Sequence, residues 1–360
     1  MKLELTLLTF LTLFFFTGLA INTVFGVGRL QVTDLGTLGG TESSAIAIND
    51  NGRVLGASHV AGRDRENHFF LYDSGLLADV SLLYNIGSGY YATSLIDINN
   101  KDHIVGNISN GDAVLLSQGV ITDLDRLGGS YSSALGINNS GQSVGYYASS
   151  YGFHHALLYS NGTIKELGPF GAEAISVATA INDSGMVVGM ATDSYRLPSH
   201  AFLYSNGFMK DIRPFGSSES YARGINKGGQ VVGEFLTADG AAFHAFLYSN
   251  GLATDLGSAG SPESVAYAIN DYGQVVGTTW VPYDDVCPEV STTESTQCIN
   301  YKPHAFLYEN GRLIDLNTLI QPESGWELTS AVDINNKGQI VGSGLVNGKV
   351  RAFLLTGATN

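Results

Sequence analysis

Residues 180–207 read AINDSGMVVGMATDSYRLPSHAFLYSNG, and this pattern returns, with drift, along nearly the whole chain. An Ile-Asn pair followed seven residues later by glycine occurs seven times, with asparagine at Asn49, Asn99, Asn138, Asn182, Asn226, Asn270 and Asn335. Successive asparagines are 50, 39, 44, 44, 44 and 65 residues apart, mostly the spacing of propeller blades and related arrays. Each unit divides into four short apolar runs. Strand A ends at Ile-Asn, strand B is the Val-Val-Gly run, strand C is the His-Ala-Phe-Leu-Tyr run, and strand D closes on Asp-Leu or a near variant, as in Asp255-Leu256. The turns mark the borders: Asn-Asp-Ser-Gly at 182–185 joins A to B, and Ser-Asn-Gly at 205–207 joins C to D. Asn and Gly tolerate the positive φ of tight hairpins. The runs are rich in Val, Ile, Phe and Tyr, as buried strands are, and no helical stripe of useful length follows residue 30. The pattern predicts an all-β chain.

The order of the strands says more than their number. Residues 31–36 form a solitary strand D, and residues 351–355 are a strand C with no D behind it. The chain therefore runs D, six times ABCD, then ABC. An open stack has no reason to split one unit between its ends, whereas a closed ring does, because the first strand completes the last blade and removes the free edges. The expectation is a seven-bladed β-propeller of four-stranded blades over residues 29–356, closed by the N-terminal strand D pairing with the C-terminal strands A–C, with a tail at 357–360.

Residues 1–20, MKLELTLLTFLTLFFFTGLA, place one Lys and one Glu ahead of sixteen uncharged, mostly apolar residues. This resembles a secretory signal peptide with Gly18-Leu19-Ala20 as the cleavage site. The uncharged run continues to Gly28, so a retained membrane anchor is the alternative. On either reading the ring is secreted or held at the cell surface. Cys287 and Cys298 sit in one polar insertion, and in an exported protein a disulfide closing that loop is expected. Formal charge is −15, yet charged residues make up 14% of the chain and no Lys/Arg cluster occurs. The electrostatic footprint of nucleic-acid binding is missing, and anionic membranes are disfavoured for the same reason.

Written out as repeats, the chain resembles the HAF-repeat family of probable extracellular repeat proteins. The resemblance rests on His200-Ala201-Phe202, His244-Ala245-Phe246 and His304-Ala305-Phe306 together with the Ile-Asn and Val-Val-Gly signatures, and it covers about residues 30–355. Other units depart from it: His68-Phe69-Phe70, His155-Ala156-Leu157, Arg351-Ala352-Phe353 and, most degenerate, Asp112-Ala113-Val114. The resemblance implies an exported repeat protein and supplies no catalytic residues.

Three motifs invite chemistry and are better read as scaffold. Gly141-Gln142-Ser143-Val144-Gly145 matches a nucleophile-elbow pattern, but that elbow needs a strand-to-helix turn, and Ser143 falls within strand B. His68, His155, His200, His244 and His304 open strand C in five units. Spread around a wide ring, they cannot converge on one ion, which needs bonds near 2.1 Å; each is expected to hydrogen-bond a neighbouring loop and fix its own blade. The Asn-Asp-x-Gly turns lack the alternating carboxylates and closing Glu of a calcium loop. No metal and no cofactor is expected.

The ring has two unlike faces. A–B and C–D turns share one, and D–A and B–C connections share the other. From the strand B glycine to strand C the intervals are 12, 6, 10, 11, 11, 27 and 9 residues, so variation concentrates where recognition on a rigid scaffold usually lies. The longest insertion, residues 278–303, carries the cysteines with Asp284, Asp285, Glu289 and Glu294. Six residues before each asparagine stands Ser or Thr (Ser43, Thr93, Ser132, Ser176, Ser220, Ser264, Thr329), and Glu42, Glu219 and Glu263 precede three of these, with Glu327 close to that level in the last unit. Blades 5, 6, 7 and 1 are neighbours in a closed ring and would line one arc of the central mouth with carboxylates. Deeper in, Asp97 and Asp333 replace Ala or Gly, and Arg223 and Tyr267 replace an aliphatic residue.

The bland account of these groups is a solvated rim. The sharper one is a ligand mouth built from Glu42, Glu219, Glu263, Glu327, Arg223, Tyr267 and Trp280. It would take a cation or a neutral or basic partner such as a glycan or extracellular protein, with Tyr90, Tyr91, Tyr131, Trp280 and Trp326 stacking on sugars or anchoring a partner. The function expected is a binding scaffold, acting as a monomer. A polysaccharide hydrolase or lyase using Asp97 and Asp333 in the axial mouth, or a purely structural surface protein, are the alternatives.

Overall fold

The computed structural model describes residues 29–84, 92–108, 111–124, 131–168, 174–194, 196–258, 260, 262–283 and 300–357, with the backbone alone at 63–67, 81, 92 and 93. The leader, Tyr90, Tyr91, Cys287, Cys298 and the four insertion carboxylates lie outside these residues. Among the described residues, twenty-eight strands form seven four-stranded antiparallel sheets. Six blades run A-B-C-D in chain order. In the seventh, residues Gln31–Asp34 pair with Lys349–Thr356, with Gln31 opposite Thr356 and Asp34 opposite Phe353. The ring closes as the strand order implies.

Within a blade, the three sequence signatures meet at one point. Strand A of every blade carries a β-bulge two residues ahead of the Ile-Asn isoleucine, as between Ala178 and Ala180, and the bulge kinks the strand. In blade 4 a Cβ on Gly189 would lie 1.9 Å from the Val177 carbonyl oxygen and 2.9 Å from the Phe202 ring. Blade 6 repeats this, with Val265 at 1.9 Å and Phe306 at 2.7 Å from a Cβ on Gly277. Glycine stands there because the bulged strand A and the strand C phenylalanine fill the space. Phe70, Phe202, Phe246, Phe306 and Phe353 are all fully buried, each worth roughly 2–3 kcal/mol in removed apolar surface.

The core lies between blades. Val231 packs with Val188 and Ala201 of blade 4, whereas Val232 packs with Ala266 and Phe306 of blade 6. Successive side chains point to opposite faces, so the paired valines of a strand sandwiched between two neighbours present apolar side chains to both. The C–D turns are as the sequence suggests: Asn206 and Gly207 have φ of 54° and 86°, and Asn161, Asn250 and Asn310 repeat the pattern.

The asparagine of Ile-Asn does more than cap a hairpin. Its Oδ1 accepts from backbone amides two and four residues on, as Asn182 does from Ser184 and Met186. Its Nδ2 donates to the backbone carbonyl of the equivalent asparagine in the next blade, at 2.9–3.2 Å in all seven cases, ending with Asn335 on Asn49. In blades 3, 5, 6 and 7 the second Nδ2 hydrogen goes to a glutamine four residues on. In blades 3, 6 and 7 the amide is then saturated on both sides; in blade 5 the Asn226 oxygen accepts from Gln230 alone.

A second belt lies beside it. The residue after each asparagine accepts the matching amide of the preceding blade in six of the seven junctions, for example Asp50 to Asn100 and Asn336 to Asp50. Lys227 interrupts the belt because its side chain offers the Asp183 amide no acceptor. A third set of bolts comes from the serines expected at the mouth. Ser43, Ser132, Ser176, Ser220 and Ser264 are buried, and each accepts the amide of an alanine on strand C of the preceding blade at 2.8–3.1 Å.

The histidines fix their own blades, but the partner is the carboxylate ending strand D, not a loop. His68 meets Asp79, His155 Glu166, His244 Asp255 and His304 Asp315 at 2.6–3.0 Å. In blade 4 Arg213 comes between His200 and Asp211. In blade 7 Arg351 takes the histidine's place against Asp34 of the closing strand.

Asn270→Ala removes a saturated buried amide and lowers unfolding free energy by roughly 3 kcal/mol, read from urea titration. Lys227→Asn completes the second belt and raises it by about 1 kcal/mol in the same titration.

Candidate functional site

Two of the four expected glutamates converge. Glu219, just before strand A of blade 5 (Ser220–Ile225), and Glu263, just before strand A of blade 6 (Ser264–Ile269), line one cleft of ≈ 300 Å³. Tyr221, Glu234, Phe243 and Val265 complete its wall. The Tyr221 hydroxyl donates to Glu219. Burial, then the hydrogen bond to Glu219 and its charge, push this phenol up to about 12, so it remains a donor. The Tyr221 and Phe243 rings stand 6.1 Å apart and give the cleft an aromatic side.

Arg223 occupies the bulge of strand A in blade 5. Its guanidinium forms a two-pronged bond with Glu234 on strand B and lies 5.5 Å from the centre of the Tyr267 ring in blade 6. Glu234 is 5% exposed. Burial pushes its carboxyl above the usual range, with Arg223 pulling the other way. The Arg-Glu pair and Tyr267 thus brace the seam beneath the cleft.

The remaining expected residues go elsewhere. Glu42 lines a separate cavity of ≈ 140 Å³ with His59 and Val350. Glu327 is taken by Lys302 at 2.7 Å, with His304 Nε2 at 3.6 Å; the Lys302 hydrogen bond holds it below the usual carboxylate range. Trp280 is half-buried in a long hairpin, opposite Pro303. Trp326 packs edge-on against Phe353 at 6.2 Å, a contact between blade strands. Ser143 lies in strand B of blade 3, paired with Tyr159, with no elbow around it.

Asp97 and Asp333 are clasps between blades. Asp97 accepts the amides of Ile98 and, from blade 3, Ile137; Asp333 accepts those of Ile334 and, from blade 1, Ile48. Desolvation raises Asp97 to about 6 against the opposing pull of those amides. Desolvation, with a further contribution from the Asp97 charge, raises Asp333 to about 7. The two carboxylates therefore sense each other, but each commits both oxygens to backbone.

Another cavity, of ≈ 180 Å³, lies at the A–B turn end of the axis and is walled by the Ile-Asn residues of all seven blades. Its polar groups are those of the two hydrogen-bonded belts. Sequence reasoning missed Glu234, Tyr221 and Phe243. A signal existed for the first: blade 5 replaces an apolar residue by Arg223 and, in the same unit, puts a carboxylate after the strand B glycine.

No family model matches the chain, and no curated protein does. Among solved structures it is similar to a puromycin-hydrolyzing peptidase of Mycobacterium tuberculosis, at 10% identity and TM-score 0.51 over 88% of this chain and 49% of that one. A prolyl endopeptidase gives 8% identity and TM-score 0.53 over 88% and 45%. TolB from Acinetobacter baumannii gives 12% identity and TM-score 0.42 over 88% and 64%. The chain spans about half the length of the two peptidases, and at these identities the likeness shows the propeller fold alone. Among the described residues no helix is long and apolar enough to cross a membrane.

Because the folded-state pKa values of Asp97 and Asp333 lie above the unfolded 3.8, the folded state holds their protons to higher pH than the unfolded chain. Their contribution to stability is fully present below about pH 4 and is lost as pH rises through 6 to 7, by at most about 3 kcal/mol for Asp97 and about 4 kcal/mol for Asp333. The Asp97→Ala/Asp333→Ala variant, which restores the small residue of the other blades, flattens this slope in thermal melts between pH 4 and 8 and melts below the wild type at pH 4, where the protonated carboxyls still bridge the blades.

Proposed function

We propose that this propeller is an exported binding scaffold of the HAF-repeat type, with the cleft between blades 5 and 6 as its recognition centre. The observation that carries the reading is the convergence of Glu219 and Glu263 with the Tyr221 and Phe243 rings on the face whose connections vary most. Paired carboxylates beside aromatic faces suit a protonated amine carried on an apolar skeleton. The ligand is a glycan or extracellular protein presenting such a group, an amino sugar or a lysine. Arg223, already bonded to Glu234 and covered by Tyr267, holds the two blades in register without competing for the carboxylates above it.

Chitosan hexamer and its fully N-acetylated counterpart separate charge from shape. Calorimetry with the wild type gives binding of the free-amine form that weakens with salt. Glu219→Gln/Glu263→Gln abolishes that heat while leaving the melting temperature unchanged. Equal binding of the acetylated hexamer, or binding retained in the double variant, removes the proposal.

A further inference from the structure

The outer side of blade 5 carries a second built site. Between blades 4 and 5, on the opposite face of the sheet from the acidic cleft, lies a cavity of ≈ 520 Å³. Strand alternation separates the two: Glu234 faces blade 6, whereas the next residue, Phe235, packs into the core shared with blade 4. The connection leaving blade 4 forms one wall. There Phe215 stands at φ 55° and ψ 18°, in the left-handed region that bulky side chains avoid. The other non-glycine residues at positive φ among those described are Ser, Asp, Asn or Gln.

The strained residue does not gain a buried position in exchange. Phe215 is 58% exposed, and its ring lies 4.8 Å from Phe235, so one aromatic face is presented at the rim. Strain of this kind gathers at ligand-holding sites. Ser217 lines the same cavity, is 8% exposed, and its Oγ has no hydrogen-bond partner among the described residues. Such a hydroxyl is costly unless something pairs with it. In the same cavity His244 Nδ1 meets Asp255 Oδ2 at 3.0 Å, which fixes the ring and leaves Nε2 as the nitrogen available to a ligand. The His-Asp pair recurs in other blades as a brace; here it borders a cavity with an exposed aromatic rim.

We infer that this cavity binds a neutral pyranose, its apolar C–H face on Phe215 and its hydroxyls on His244 and on Ser217, whose Oγ, sealed from solvent in this structure, turns toward the cavity to meet the sugar. Mixed donors and acceptors beside one exposed ring favour a sugar over an apolar amino-acid side chain, which would be better served by enclosing walls. The site differs in chemistry and place from the amine-binding cleft and does not depend on it.

The test is saturation-transfer NMR with the methyl glycosides of glucose, galactose, mannose, N-acetylglucosamine and fucose at millimolar concentration. At least one gives transfer concentrated on the C–H protons of one ring face. Phe215→Gly, which relieves the left-handed strain and keeps its cooperative melt, weakens that binding about tenfold. Ser217→Ala, which removes an orphan hydroxyl, weakens it about fivefold without loss of stability. Glu219→Gln/Glu263→Gln leaves it unchanged, so failure of the cleft and failure of this site read out separately. No transfer from any of the five, transfer that survives both single variants, or displacement by N-acetyl-phenylalanine amide in place of a sugar overturns the inference.

Discussion

The head-to-tail ring of asparagine amides is the constraint on which the molecule rests. Each side chain satisfies its own A–B turn with its oxygen and the next blade with its nitrogen, so local turn formation and ring geometry are solved by one residue. Aspartate cannot substitute, because a carboxylate has no hydrogen to offer the neighbouring carbonyl. The buried amides sit in a low-dielectric ring where a satisfied network strengthens itself and a broken one is costly. The serine bolts and the second belt add to the same junctions from further out. Between them the blades are joined by polar bonds at the inner and middle levels and by apolar packing throughout.

Against that uniform scaffold the irregular positions acquire meaning. Blade 5 has an arginine at its bulge, a glutamate in strand B and an aromatic residue at φ 55° in the connection leading into it. Its two faces carry two different cavities. Blades 2 and 7 instead place aspartates where the others have alanine or glycine, and spend them on inter-blade amides. The departures from the repeat are therefore of two kinds, those that reinforce the ring and those that open a surface.

The fold was legible because its signals are local and repeated. Ile-Asn, Val-Val-Gly and Asn-Gly specify a turn, a buried strand and a hairpin wherever they occur, and the split unit at residues 31–36 and 351–355 can only mean closure. The inter-blade half of the chemistry was hidden. Nothing in a single unit tells that Asn182 reaches the carbonyl of Asn226, or that Ser220 serves the amide of Ala201 rather than a ligand. Glu219 and Glu263 could be paired because they hold one register in adjacent units, whereas Glu327 was intercepted by Lys302 from the lengthened hairpin. Tyr221, Glu234 and Phe243 join the cleft from three different strands: Tyr221 pairs with Glu234 and Phe243 with Leu236, two residues further along the same face, so only the register between strands brings them together.

The pairing of Gln31–Asp34 with the last strand, Lys349–Thr356, has a consequence for biogenesis. A growing chain emerging at roughly 5–20 residues per second leaves its first strand waiting on the order of half a minute for a partner. During that interval every completed blade can dock on the one before it, but the arc has two raw ends, each a template for a second molecule. The opening strand is well suited to the delay: Gln31 and Asp34 face outward and Val32 and Thr33 are only half-covered even when docked, so a lone copy has little to aggregate with until its station is ready.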